Sequence, residues 1–81
     1  MTAKEIIVRN FKVDPKEIVY IKAVLESYEG MVVMRTVEVG QNIIELLIAH
    51  DFAPTVDRLV QDLASRVEML EVPVSSPPSW P

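Results

Sequence analysis

The feature that most constrains this chain is the run from Val13 to Val39, VDPKEIVYIKAVLESYEGMVVMRTVEV, which holds a helix start, a helix face, a helix stop and a strand without a gap. Asp14 is a favoured N-cap, because its carboxylate accepts from the free amides of a first helical turn. Pro15 suits the first helical position, where no amide hydrogen is needed, and Glu17 completes a D-x-x-E form of the capping box. Val13 before the cap and Ile18 inside the helix are spaced for a hydrophobic staple. Ile18, Ile21, Val24, Leu25 and Tyr28 then recur at helical spacing, with Lys16, Lys22, Glu26, Ser27 and Glu29 mostly opposite, so one face is buried. Gly30 stands where a left-handed residue ends a helix, and from Met31 to Val39 the pattern changes to β-branched residues in period two.

Residues 5–11, EIIVRNF, predict a first strand with Ile6 and Val8 on one side and Ile7, Arg9 and Phe11 on the other. After the helix, Val33, Arg35 and Val37 alternate with Val32, Met34 and Thr36, and residues 43–49 form a third strand in which Ile43, Glu45 and Leu47 alternate with Ile44, Leu46 and Ile48. Pro54 and Thr55 open a second helix whose stripe is Val56, Leu59, Val60, Leu63 and Val67, with a solvated face of Asp57, Arg58, Gln61, Asp62, Ser65 and Arg66. A fourth strand, Met69 to Val74, contains Pro73, which cannot donate to a ladder and so belongs at a sheet edge. The order strand, helix, strand, strand, helix, strand predicts an α+β, ferredoxin-like βαββαβ two-layer sandwich, its antiparallel sheet ordered 4-1-3-2 with both helices on one face. Residues 1–74 form the domain. Residues 75–81, SSPPSWP, are a Pro- and Ser-rich flexible tail in which Trp80 is the single large apolar residue.

Burial constrains the hairpin at Val39-Gly40-Gln41-Asn42. A two-residue loop would place either Arg35 or Glu45 on the helix-covered face, whereas an odd loop with a bulge pairs Val37 with Glu45 and Arg35 with Leu47 and sends both charges to the other face. The uncovered face then presents Ile7, Arg9, Phe11, Val33, Arg35, Val37, Ile43, Glu45, Leu47, Met69 and Glu71. Seven of these eleven are apolar, a patch too large for a monomer to leave in water. The charges are mixed in sign and can pair across strands or across a subunit boundary, so a symmetric homodimer through this face is expected.

Composition removes several classes of function. At 81 residues the chain buries only roughly 60 to 65% of its unfolded surface, so association adds usefully to a modest core. With no cysteine there is no disulfide framework, thiolate metal site or cysteine nucleophile. Eight basic residues against twelve acidic ones, scattered, make no phosphate-backbone footprint, and no stretch is long and apolar enough for a membrane span or a signal peptide. A cytoplasmic protein without nucleic-acid or membrane partners, and without a cofactor, is expected. His50 beside Asp51 is too little for a triad or a metal site, and His50 reads as a structural or solvent-facing histidine. Arg9 with Glu45 or Glu71 reads as cross-strand charge pairing, and Gly30 and Gly40, the two glycines, cannot make a phosphate loop.

Over residues 5–74 the pattern resembles the ferredoxin-like superfamily, and within it the ACT-type small regulatory domains. It is also similar to a family of short, uncharacterised bacterial proteins in which Tyr20, Glu26 and Tyr28-Glu29-Gly30 followed by a strand recur. The resemblance implies a habit of dimerising and of binding small effectors such as amino acids. Amino-acid-binding ACT domains typically carry a glycine at the first loop-to-helix turn; the run Val13 to Glu17 has none, so what carries over is Asp14 alone, as a ligand-side residue. The expected function is therefore non-enzymatic: a dimeric, ACT-like effector-binding domain, or alternatively a structural interaction module whose open face meets a different subunit.

Overall fold

The computed structural model describes residues 5–38 and 42–74. The first strand, β1 (Ile6–Val13), runs two residues past the predicted end, and its last amide donates to the Asn42 carbonyl at 2.9 Å. Asp14 then turns the chain: its backbone is extended, and its carboxylate accepts from the Lys16 amide at 2.9 Å. This is half of the predicted capping box. Glu17 bonds back to Asp14 through its backbone amide, to the carbonyl at 2.8 Å, because Pro15–Glu17 winds as one turn of 3₁₀ helix before α1 (Ile18–Glu26) begins. Gly30 closes the turn after α1 at φ +87°; a Cβ there would meet nothing within 4 Å, so the left-handed backbone and not the space is what glycine supplies.

The chain continues through β2 (Val32–Glu38), β3 (Ile43–Ala49), a 3₁₀ turn at His50–Phe52, α2 (Ala53–Ala64) and β4 (Met69–Val72), where Pro73 ends the ladder. The four strands form one antiparallel sheet in the order β2-β3-β1-β4, the expected 4-1-3-2 read from the opposite edge. Ile21 and Leu25 of α1 and Val56, Leu59, Val60 and Leu63 of α2 close over Phe11, Val13, Val32, Ile44, Leu46 and Ile48 to make the core. The tail at 75–81, Trp80 included, and the Gly40-Gln41 part of the hairpin lie outside the described residues.

Register corrects the expectation in two places. In the hairpin, Arg35 pairs with Glu45 and Val33 with Leu47, two residues away from the predicted pairing. A bulge between Thr36 and Glu38 absorbs one residue and the chain from 39 to 42 joins the strands, so the parity that sends both charges to the same face is kept.

The first strand is turned over. Phe11 pairs with Ile44, Arg9 with Leu46 and Ile7 with Ile48, all partners under the helices. Ile7, Arg9 and Phe11 therefore belong to the covered face, together with Glu71 and Met69, which pair with Phe11 and Val13. A one-residue shift in β register exchanges every side chain between faces. Here Ile6 and Val8 are as apolar as Ile7, so alternation could not choose; the benzyl side of Phe11, which removes the most surface from water, takes the core at 3% exposure.

Candidate functional site

The face away from the helices is built by the alternate residues of all four strands: Ile6, Val8, Asn10 and Lys12 on β1, Val33 and Arg35 on β2, Ile43, Glu45 and Leu47 on β3, and Leu70 and Val72 on β4. Val37, in the bulged part of β2, is exposed beside them. Of the residues expected on this face, Val33, Arg35, Glu45 and Leu47 are brought together there, and Ile7, Arg9 and Phe11 are not. No described helix packs on it.

Its apolar ground is interrupted by Lys12 and by a polar row across three strands. Arg35 pairs with Glu45, and Glu45 with Asn10. The row continues to Val72 at the far edge. Asn10 and Glu45 are only 5% and 8% exposed, and Leu47 beside them 3%, while Val33 and Leu70 at the two edges are 54% and 64% exposed. The Arg35 Nε lies 3.8 Å from the Glu45 carboxylate. Asn10 Oδ1 is buried with no hydrogen-bond partner. A buried amide oxygen left unpaired costs about 1–3 kcal/mol, which makes it the least satisfied group among the described side chains. The row was half missed in the sequence: Asn10, a lone amide in an apolar strand, was the available signal.

On the covered face Arg9 lies at the border of the helix layer. Its guanidinium makes two bonds to Glu71, at 2.8 and 3.0 Å, and one to Asp57 of α2 at 2.8 Å, and it rests 5.2 Å from the centre of the Phe11 ring. Expected cross-strand pairing with Glu71 is present, and Asp57, assigned by its helix face to solvent, joins it. The hydrogen bonds from Arg9 hold the Glu71 carboxyl below its ordinary value of 4.5, against a smaller opposing effect of burial, and the same contact raises Arg9. A carboxylate whose folded pKa is depressed contributes stability above its unfolded value and loses it as the pH falls through the folded one. Glu71→Gln should therefore lower stability at pH 7 by at most about 1 kcal/mol, because the pair is half in water. It should also flatten the fall in stability below pH 4.5, a difference that urea titrations at pH 7 and pH 3 will read.

His50 is exposed, with Glu5 at 3.9 Å and Asp51 at 3.8 Å. Among the described residues no group of three or more His, Cys, Asp or Glu side chains is placed to hold a metal ion, and no helix is long and apolar enough to cross a membrane. Asp14, the expected ligand-side residue, lines a cleft of about 420 Å³ with Lys12, Asn42, Glu68 and Leu70, between the start of the first helical turn and the end of the hairpin. Asn42 holds this corner at φ +59°, a conformation that asparagine tolerates better than most residues.

Compared with known proteins, the chain matches the family model described as a domain of unknown function (DUF4911) over residues 11–67, from the end of β1 to just before β4. No curated protein and no solved structure matches it.

Proposed function

Since the chain belongs to the DUF4911 family, a domain of unknown function, its role has to be read from its surfaces, and we propose that it is a non-enzymatic homodimeric domain whose two copies join through the helix-free face of the sheet. The observation behind this reading is the composition of that face: apolar residues on all four strands, reaching exposed Val33 and Val37 at one edge and exposed Leu70 at the other. Acceptors and donors lie in its middle and beside it, in Glu45, Asn10, Arg35 and Lys12. A face that holds both halves of each polar pairing is self-complementary, as a two-fold contact requires. The cytoplasmic setting expected of a cysteine-free chain is part of the same proposal.

The full chain should then run at twice its mass in light scattering and sedimentation at micromolar concentration. Val33→Glu, at a position the single copy leaves half exposed, should keep the circular dichroism spectrum and fold stability within about 0.5 kcal/mol. It should also weaken the dimer at least 100-fold, roughly, by burying two unpaired carboxylates, one from each copy. A wild-type chain that stays monomeric at all concentrations defeats this reading and leaves the alternative, a module that pairs with a different subunit.

A second reading rests on the cleft beside Asp14. Its mixed lining of Lys12, Asp14, Asn42 and Glu68 suits a small zwitterion, as an ACT-like effector would be. Thermal-shift screening of the full chain against amino acids and nucleotides tests it, and no stabilisation by either class removes it.

A further inference from the structure

The middle of the helix-free face is closed to water within a single chain, although no described helix lies over it. Asn10 on β1 and Glu45 and Leu47 on β3 are buried, while Ile6, Lys12, Val33 and Leu70 around them on the same face are exposed. Side chains on a sheet stand roughly perpendicular to it, so neighbours screen one another from the side and an open face leaves the tips in water. A cover therefore crosses the centre and leaves the margins bare.

The cover comes from one of the stretches outside the described residues: 1–4, 39–41 or 75–81. Residues 39–41 are pinned between Glu38 and Asn42, and Leu47 lies five residues beyond Asn42, roughly 17 Å along β3. Three residues tied at both ends do not reach that far. Residues 1–4 enter beside Ile6, the first side chain of this face that they would cover, and Ile6 is exposed. Residues 75–81 leave β4 at the level of the buried zone, because Val72 pairs with Asn10 and Asn10 with Glu45. From β4 the centre of β3 is two strand spacings away, roughly 10 Å. At roughly 3.1 Å per residue in a polyproline conformation, the six residues from Val74 to Trp80 span about 19 Å.

We infer that residues 75–81 lie across β1 and β3 of their own chain, with the Trp80 ring over β3, as the cover of Asn10, Glu45 and Leu47. The composition of the segment suits this place. It carries no charged side chain, and Pro77, Pro78 and Pro81 have no amide hydrogen, so a stretch laid flat on side chains leaves few donors unpaired. The indole supplies most of the apolar area that the face needs. This goes beyond the dimer reading and is compatible with it: a second copy meets the outer side of the cover and the exposed margins at Val33, Val37 and Leu70.

Trp80 is the single tryptophan, so its fluorescence reports the cover alone. In the full chain, diluted until sedimentation shows a monomer, its emission should lie to the blue of the urea-unfolded chain and acrylamide should quench it several-fold less. Removing residues 75–81 should make the monomer bind an apolar dye and lower its melting temperature by roughly 4–8 °C or more. Trp80→Ser should reproduce most of that loss, and removal of residues 1–4 should cause neither effect.

Emission like that of the unfolded chain at every concentration overturns the inference. A blue shift that disappears on dilution to the monomer also overturns it, by giving Trp80 to the second copy, and so does dye binding that follows loss of residues 1–4 and not of 75–81. A chain that is monomeric at every concentration with Trp80 shielded upholds the cover while the dimer reading falls.

Discussion

Phe11→Ala is expected to destabilise the fold by about 3–5 kcal/mol. That is a large part of the roughly 4–12 kcal/mol available to a chain of this length. The ring is 3% exposed, pairs across the sheet with Ile44 and belongs to the core under both helices. Truncation removes that burial and leaves a cavity whose walls, a central strand and two helices, cannot all move in. The Arg9 guanidinium, 5.2 Å from the ring centre, loses its aromatic neighbour as well. At about 4–8 °C per kcal/mol for a domain of this size, the melting temperature should fall by roughly 15 °C or more. A loss under about 1 kcal/mol would put Phe11 on the helix-free face, in the strand orientation first expected from the sequence.

Ile21→Ala, at the centre of α1, should cost about 2–5 kcal/mol. Ile21 has no exposure at all and faces the sheet between Ile18 and Leu25. The helix is only nine residues long, too short to persist on its own propensity, so its hold on the sheet is what keeps it folded. Val19→Ala two residues away provides the control: Val19 is 78% exposed, and the same kind of truncation there should stay within about 0.5 kcal/mol. Chemical denaturation of the pair reads the difference directly. Equal effects at the two positions would mean that α1 does not lie on the sheet by the Ile21 face.

Much of this fold was legible because its signals are local. Asp14 and Pro15 start a helical turn wherever they occur in this arrangement, Gly30 permits a positive φ, and Pro73 ends a ladder, each through the covalent chemistry of one residue. The charges of Arg35 and Glu45 told the hairpin its parity, since a buried charge is costly enough to outweigh any preference of the loop. The pairing itself slipped by two residues, because a bulge at Thr36 and Glu38 changes the count without changing which way the charges point.

The candidate site was legible only in part, for a different reason. β2 and β3 each carry a charge that marks the outer face, while β4 is short and β1 is apolar on both sides, with Arg9 as its misleading mark. An arginine in a strand ordinarily signals solvent, yet Arg9 sits on the helix side because Asp57 of α2 and Glu71 of β4 meet it at the layer's border. Neither partner can be assigned from spacing along the chain, since both lie about fifty or more residues away in sequence.

The sequence by itself determined the elements, their order and the antiparallel sheet with helices on one side, because capping, periodicity and the exclusion of proline from ladders act within a few residues of where they are written. Only the tertiary structure decided which side of β1 and β4 meets the helices, and with it that Asn10 and not Phe11 shares the open face with Glu45. Those two strands have near-equal apolar content on both sides, so their orientation is settled by the packing of whole layers, where the volume of one phenyl ring and the reach of one guanidinium are enough to choose.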